Sequence, residues 1–191
     1  MPHITLPDEF PGIRSLFMYS PATSEPMNQL ANVLLYDPEY STLTPGEREL
    51  IATYVSTLNE CKYCATTHGS IARFQLGDEP ELVRQVQQDP EHAPISDKLK
   101  ALLKIAAKVR QDGKKVSSAD IDFAKEKGAS EKEIHDTVLI AAAFSMFNRY
   151  VDGLATIAPE DPWLYEKIGR QRASEGYLTP PVPLDEESAT H

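Results

Sequence analysis

The sequence predicts an all-α protein built around an antiparallel helix hairpin and one long, largely apolar helix. Apolar residues recur at helical spacing in successive segments, Ser and Thr residues suited to helix caps precede several of them, and no strand alternation of useful length occurs. With 191 residues, of which 41% are hydrophobic and 25% charged, the chain is long enough to bury a core. We therefore expect a single domain over residues 1–191.

The expected elements follow from where the helical periodicity starts and stops. Met1–Gly12 contains several prolines and shows no helical periodicity, which predicts an extended N-terminal arm. We assign residues 1–23 to this arm. Helices are expected over residues 24–36, 45–58, 61–74, 81–88, 96–111, 118–127, 131–154 and 161–174. We interpret the segment around 81–88 as a connector rather than a lid. The C-terminal region, 159–191, should hold the last helix and an extended tail, TPPVPLDEESATH.

Two capping boxes indicate where the most important helices begin. Thr44 with Glu47 marks the first helix of the hairpin, and Ser130 with Glu133 marks the longest helix. The middle of that longest helix, Thr137–Phe147, is apolar almost all round. This pattern predicts a long helix buried on every side, in the core, in a subunit interface or in both.

The net charge of −10 disfavours two classes of partner. Nucleic acids and anionic membrane surfaces would repel such a chain, so neither is expected to bind it. No apolar run approaches the length of a membrane span, and the first residues show no signal-peptide pattern. Two cysteines do not make a disulfide scaffold, and in the cytoplasm a Cys-x-x-Cys pair is more often catalytic than structural. A cytoplasmic location is therefore expected.

Both cysteines of the chain fall in the predicted hairpin, as the Cys-x-x-Cys pair Cys61 and Cys64, with His68 shortly after them. Spacings of three and four residues on a helix place these three side chains on one face. Glu49 precedes the expected turn at Asn59 by about as many residues as His68 follows it, so a hairpin brings the carboxylate and the imidazole to the same height. A carboxylate facing an imidazole that faces a thiol can remove the thiol proton and produce the nucleophilic thiolate.

The residues alone leave three interpretations of this cluster open. A dithiol redox site is favoured, because the second cysteine can attack an oxidised first one. A structural role comes next, since cysteines are often buried and a lone helical histidine is usually solvated. A zinc site with Glu49 as fourth ligand comes last, because it lacks the usual four Cys or His ligands and no second ligand pair occurs elsewhere. We accordingly predict neither a cofactor nor a bound metal.

The spacing Glu-x(11)-Cys-x-x-Cys-x(3)-His resembles the active-site signature of the AhpD-like alkylhydroperoxidases, in the carboxymuconolactone decarboxylase superfamily. Three stretches are similar to the peroxidase-related branch of that group: GIRSLF, LTPGERELIATYVSTLNECKYCATTHGSIA and EIHDTVLIAAAFSMFNRYVDGLA. The similarity covers most of Pro11–Ala158. One position departs from the pattern: Tyr63 stands where the best-studied AhpD enzymes have a histidine, and we assign it a hydrogen-bond donor role in place of that histidine.

The resemblance implies an AhpD-like helical bundle and a dithiol-dependent peroxidase that reduces hydroperoxides. Glu49 would orient His68 through a water, and His68 would take the proton of Cys64, whose thiolate attacks the peroxide. Cys61, expected to be the more exposed cysteine, would then form a disulfide that an external dithiol or lipoyl-type reductant reopens. The roles of the two cysteines could be exchanged. The resemblance also implies a homo-oligomer, namely a dimer, trimer or hexamer.

Other functions compete with the peroxidase. A general thiol–disulfide oxidoreductase or redox sensor would share its thiol chemistry, and a non-redox lactone decarboxylase of the same superfamily would not need the Cys-x-x-Cys pair. Outside the motif, His135 is expected at the surface rather than in a site. For Asn148, Arg149 and Asp152 a pocket or interface role and a salt-bridged helix end are equally favoured.

Overall fold

The computed structural model describes residues 1–180, which form α-helices and one 3₁₀ turn and contain no strand. The helices are α1 (Ile13–Tyr19), α2 (Pro21–Leu35), α3 (Pro45–Leu58), α4 (Lys62–Gln75), α5 (Pro80–Gln88), α6 (Asp97–Gln111), α7 (Ser118–Glu126), α8 (Glu131–Gly153) and α9 (Pro162–Glu175). The all-α prediction is confirmed. Most of the predicted extended tail, residues 181–191, lies outside the described residues. Within residues 1–180 no helix combines the length and the apolar character needed to cross a bilayer.

Helices α3 and α4 pack along each other as the predicted hairpin, and α3 also contacts α2, α5, α6 and α8. Both capping-box hydrogen bonds form at the start of α3: Thr44 Oγ1 accepts from the Glu47 amide at 3.2 Å, and Glu47 Oε2 accepts from the Thr44 amide at 2.8 Å. The chain reverses at Asn59 and Glu60, and Glu60 adopts a left-handed φ of 59°. Arg110 of α6 donates to Asn59 Oδ1 at 2.9 Å, so this helix holds the turn in place.

Helix α8 begins at the predicted capping box of Ser130 and Glu133 and packs on α1, α3, α6 and α7. Its inner face is buried, as at Phe144. On the opposite face Leu139 is 37% exposed and Met146 is 43% exposed. No element of residues 1–180 covers that face, so the core explains burial of the inner face only, and burial of the exposed stripe in a subunit interface stays a prediction.

The prediction of an N-terminal arm over residues 1–23 is wrong in its extent, because helices begin within these residues. The seven-residue helix α1 lies within them and buries Leu16 and Phe17, and α2 begins at Pro21. Gly12 has a φ of 55°, which only glycine adopts without strain, and its carbonyl accepts a hydrogen bond from Ser15 Oγ at 2.8 Å. A helix this short contains too few turns to show a periodicity in sequence.

After α9, which packs on α4, the chain turns at Gly176 and returns to the core. Gly176 has a φ of 72°, and the Tyr177 amide donates to Asn32 Oδ1 of α2 at 3.0 Å. The Tyr36 hydroxyl donates to the Ser174 carbonyl at 2.7 Å. These contacts with α2 bring the Tyr177 ring into the protein interior, where it is 6% exposed.

Candidate active site

The hairpin brings Glu49 of α3 and His68 of α4 into direct contact. Glu49 is completely buried, and its Oε2 lies 2.8 Å from His68 Nδ1. Because a carboxylate oxygen accepts, Nδ1 carries the ring proton and Nε2 is left as an acceptor. The expectation that a water lies between these two residues is wrong, since they contact each other without one.

Tyr177 is a third member of this cluster, and the sequence analysis did not identify it. Its hydroxyl donates to Glu49 Oε1 and lies 3.2 Å from His68 Nδ1. Burial has the largest effect on the pKa of Tyr177, and the negative charge of the neighbouring Glu49 adds to it. Together they raise this pKa well above its ordinary value, so the phenol keeps its proton and acts as a donor. The sequence analysis treated Gly176 only as the end of a helix. No sequence spacing relates Tyr177, the residue after it, to the α3–α4 hairpin.

Aromatic rings hold the His68 imidazole in one orientation. The edge of the imidazole meets the Phe144 ring at a centroid distance of 4.6 Å, with the planes at 90°. The Tyr177 ring lies nearly parallel to the imidazole at a centroid distance of 6.0 Å. Together with the hydrogen bond to Glu49, these contacts fix which ring nitrogen faces away from the carboxylate.

The two cysteines lie at the start of α4, with Cys61 as its N-cap residue and Cys64 in its first turn. Both are free thiols in this structure, and both are buried, with 0% of Cys61 and 3% of Cys64 exposed. The expectation that Cys61 is the more exposed cysteine is therefore wrong. The neighbouring Cys64 has the largest effect on the pKa of the Cys61 thiol and raises it, and burial raises it further. Cys61 therefore tends to keep its proton.

A cavity of about 50 Å³ joins Cys64 to the histidine cluster. Cys64, His68 and Tyr177 all contribute to its wall, whereas Cys61 and Glu49 do not. Tyr63 also lines it, and burial raises the pKa of Tyr63 to about 12. The hydrogen-bond role assigned to Tyr63 stays a prediction.

Burial raises the pKa of the Asp152 carboxyl, and the neighbouring Cys61 thiol opposes this shift. Asp152 lines a surface depression of about 570 Å³ together with Asn148 and Arg149. Asn148 Nδ2 donates to Ser56 Oγ at 3.1 Å, and Arg149 donates to the Ser145 carbonyl of its own helix at 2.8 Å. Neither Arg149 nor Asp152 forms an ion pair with a residue of 1–180, so the described residues show no salt-bridged helix end. None of the three lines the cavity at Cys64, so a pocket or interface role for them stays a prediction.

Two further predictions concern His135 and a metal. The His135 side chain is 64% exposed beside Asp136, which confirms its surface position. Within residues 1–180 no three His, Cys, Asp or Glu side chains are placed to hold a metal ion together. Glu49, the fourth ligand in the zinc interpretation, is instead bound by His68 and Tyr177.

Comparison with known proteins finds one family match and similar solved structures. Residues 21–88, which contain Glu49, both cysteines and His68, match the sequence profile of the Carboxymuconolactone decarboxylase family. An uncharacterized peroxidase-related protein from Silicibacter sp. TM1040 is 26% identical, with a TM-score of 0.71 over 78% of this chain and 77% of its own. A Ralstonia eutropha JMP134 structure, described as an alkylhydroperoxidase AhpD core and an uncharacterized peroxidase-related protein, is also 26% identical, with a TM-score of 0.73 over 84% and 81% of the two chains. No protein of curated function matches.

Proposed function

We propose that this chain is a dithiol-dependent peroxidase that reduces hydroperoxides, because residues 21–88 match the Carboxymuconolactone decarboxylase family and two solved structures described as peroxidase-related share its fold. One observation carries the proposal. A histidine whose Nδ1 is held by a buried carboxylate opens onto the same cavity as Cys64, and Cys61 lies in the same buried cluster as that cysteine. This arrangement combines a base, a nucleophile and a resolving thiol.

In the first half-reaction Cys64 is the nucleophile. His68 takes the Cys64 proton on Nε2, and the thiolate attacks the outer oxygen of the hydroperoxide. The O–O bond breaks, Cys64 becomes a sulfenic acid, and the departing alkoxide takes the proton from His68 and leaves as an alcohol. Glu49 stabilises the imidazolium while it carries that proton, because the carboxylate accepts the Nδ1 hydrogen bond.

In the second half-reaction Cys61 resolves the sulfenic acid. Its sulfur attacks the Cys64 sulfur, water leaves, and a Cys61–Cys64 disulfide forms. Asp152, which neighbours the Cys61 thiol, takes its proton and passes it to the departing hydroxide, which leaves as water. An external dithiol, a protein or lipoyl-type group, then attacks the disulfide at Cys61, releases the Cys64 thiol and is itself oxidised to a disulfide. This cycle needs a reducing compartment, in keeping with the cytoplasmic location expected from the sequence.

A peroxide-consumption assay with a dithiol reductant tests the proposal on the wild type, Cys64→Ser and Cys61→Ser. Cys64→Ser should abolish consumption, because the nucleophile is gone. Without the dithiol, Cys61→Ser should consume about one equivalent of peroxide per chain and remain as the sulfenic acid, because the resolving thiol is gone. A sulfenic-acid-specific probe should label only the Cys61→Ser protein after peroxide is added.

Equal, slow consumption by all three proteins would remove the peroxidase assignment. If the wild type instead exchanges disulfides with a dithiol at a useful rate but ignores peroxides, the chain is a general thiol–disulfide oxidoreductase. Reversed behaviour of the two serine variants would exchange the roles of the two cysteines and keep the activity.

A further inference from the structure

Two arginines line the cavity that contains Cys64, namely Arg14 of α1 and Arg172 of α9. Burial lowers the pKa of Arg14, and burial followed by the neighbouring Arg14 charge lowers the pKa of Arg172 to about 10. An arginine stays charged in folded proteins at neutral pH. Neither guanidinium forms an ion pair with a carboxylate in the part of the chain that the structure describes. One small cavity is therefore faced by two positive charges.

The two arginines differ in how many of their donors are already used. Arg172 is held by the C-terminal segment: it donates to Gly176 O at 3.0 Å, to Thr179 O at 2.9 Å, to Thr179 Oγ1 at 2.7 Å and to Pro180 O at 3.2 Å. The Arg14 side chain donates only from Nη1, to Asn28 Oδ1 at 2.8 Å, and its guanidinium carbon lies 5.5 Å from the centroid of the Phe17 ring. Arg14 thus keeps donors that no residue of 1–180 uses.

Thr67 also lines this cavity. It is 7% exposed, and its hydroxyl neighbours the Tyr63 phenol. Most of the remaining wall is hydrocarbon, contributed by side chains such as Phe17, Phe144 and Phe147. The cavity therefore suits a ligand with an apolar body and one negatively charged end.

From this arrangement we infer that the cavity binds small organic hydroperoxides that carry a carboxylate, with the carboxylate on Arg14 and the peroxide group at Cys64. The inference rests on the proposed peroxidase function and specifies its substrate class. A guanidinium binds a carboxylate through strong charge-assisted hydrogen bonds, and the apolar wall covers the carbon skeleton. A volume of about 50 Å³ limits that skeleton to a few carbon atoms.

Alkylation of Cys64 tests the anion site without any peroxide chemistry. Iodoacetate and iodoacetamide transfer the same carbon to a thiolate, with loss of iodide, and differ only in carrying a carboxylate or an amide. The rates are measured on Cys61→Ser protein, so that only Cys64 reacts. We expect the iodoacetate-to-iodoacetamide rate ratio to exceed the ratio for the same chain unfolded in urea by about tenfold.

Variants of Arg14 assign that preference to its charge. Arg14→Gln should lower the rate ratio about tenfold, to the value of the unfolded chain, because the guanidinium that attracts the carboxylate is lost. Arg14→Lys should retain most of the preference, because it keeps the positive charge. Arg84→Gln removes an exposed arginine of α5 that lies outside the cavity, and it should leave the ratio unchanged.

Turnover of a matched pair of peroxides completes the test. The pair is tert-butyl hydroperoxide and 3-hydroperoxy-3-methylbutanoate, which is the same molecule with one methyl hydrogen replaced by a carboxylate. The wild type should prefer the carboxylate compound about tenfold in kcat/KM, and Arg14→Gln should lose that preference. Equal turnover of both peroxides, together with an alkylation ratio like that of the unfolded chain, overturns the anion site and leaves the peroxidase standing. A clear preference for iodoacetate without turnover of either peroxide keeps the anion site and overturns the peroxidase.

Discussion

Glu49 is a buried carboxylate whose two oxygens each accept a hydrogen bond from a different element. His68 approaches from α4 and Tyr177 from the segment after α9, so the two donors together compensate the removal of the carboxylate from water. The motif spacing predicts the contact with His68, because a hairpin pairs positions at equal distance from its turn. It cannot predict Tyr177, because 128 positions separate this residue from Glu49 and no local pattern spans that distance.

Tyr177→Phe removes the hydroxyl that donates to Glu49 and leaves the ring that stacks on His68. We expect kcat for peroxide reduction to fall about tenfold, because a hydrogen bond to a charged group is typically worth about 1.5–3 kcal/mol and a tenfold rate change corresponds to about 1.4 kcal/mol. KM should change little, because the phenol positions the base and does not bind the substrate. Steady-state kinetics at saturating dithiol give both constants.

Tyr36→Phe is the matched control for this substitution. The Tyr36 hydroxyl also ties the C-terminal segment to the rest of the molecule, through the Ser174 carbonyl at 2.7 Å, but it does not touch the site. This variant should keep wild-type kcat. Equal losses in the two variants would show that Tyr177 acts only by anchoring the segment and not through Glu49.

At the scale of the elements, the turn at Gly176 decides whether Tyr177 reaches the site. Its φ of 72° lies in the left-handed region, and an added Cβ would lie 2.6 Å from both Asn32 Oδ1 and Tyr36 Cδ1 of α2. Glycine is required here both by the backbone conformation and by the close approach of α2. Helix α2 and Tyr36, the residue that follows it, therefore position a residue of the candidate active site without contributing one to the Glu49 cluster.

Gly176→Ala should destabilise the fold by about 1–3 kcal/mol, because the new methyl group meets α2 and the left-handed φ is strained for alanine. It should also lower kcat about as much as Tyr177→Phe does, since the turn that delivers the phenol is displaced. Urea unfolding gives the stability, and peroxide turnover measured well below the unfolding midpoint gives the activity.

Gly113→Ala serves as the control, because an added Cβ at Gly113 meets no atom within 4 Å. Its free energy of unfolding should stay within about 0.5 kcal/mol of the wild type. A Gly176→Ala protein of wild-type stability and activity would contradict the account of this turn.

The elements differ in how well the sequence predicts them, for physical reasons. Helices α3 and α8 begin where their capping boxes indicate, because a cap is a local interaction written within four residues. Helix α1 was missed because it is short, yet it provides Arg14 to the cavity. The relative exposure of Cys61 and Cys64 was predicted wrongly, since exposure depends on neighbouring elements such as α8 and not on the position within one helix.

At the scale of the whole molecule, helix α8 raises a question of assembly. Its exposed stripe contains Leu139, Ala142 and Met146, at spacings of three and four residues, on a helix whose opposite face forms the core. This spacing is the seam along which helices of neighbouring chains pack. The apolar run that predicted burial on every side would be satisfied if a second copy of the chain covered the stripe.

We therefore expect the wild type to sediment as a homo-oligomer, and the double variant Leu139→Lys/Met146→Lys to shift towards a single chain in analytical ultracentrifugation at micromolar concentration. Two lysines would place positive charges where a partner helix needs apolar contact, and burying them without partners is costly.

Val33→Lys is the matched control, because Val33 of α2 is 39% exposed, close to the 37% of Leu139, but lies on another helix. This control should sediment like the wild type. A wild type that sediments as a single chain, or a double variant that assembles unchanged, would mean that the exposed stripe of α8 is an ordinary surface.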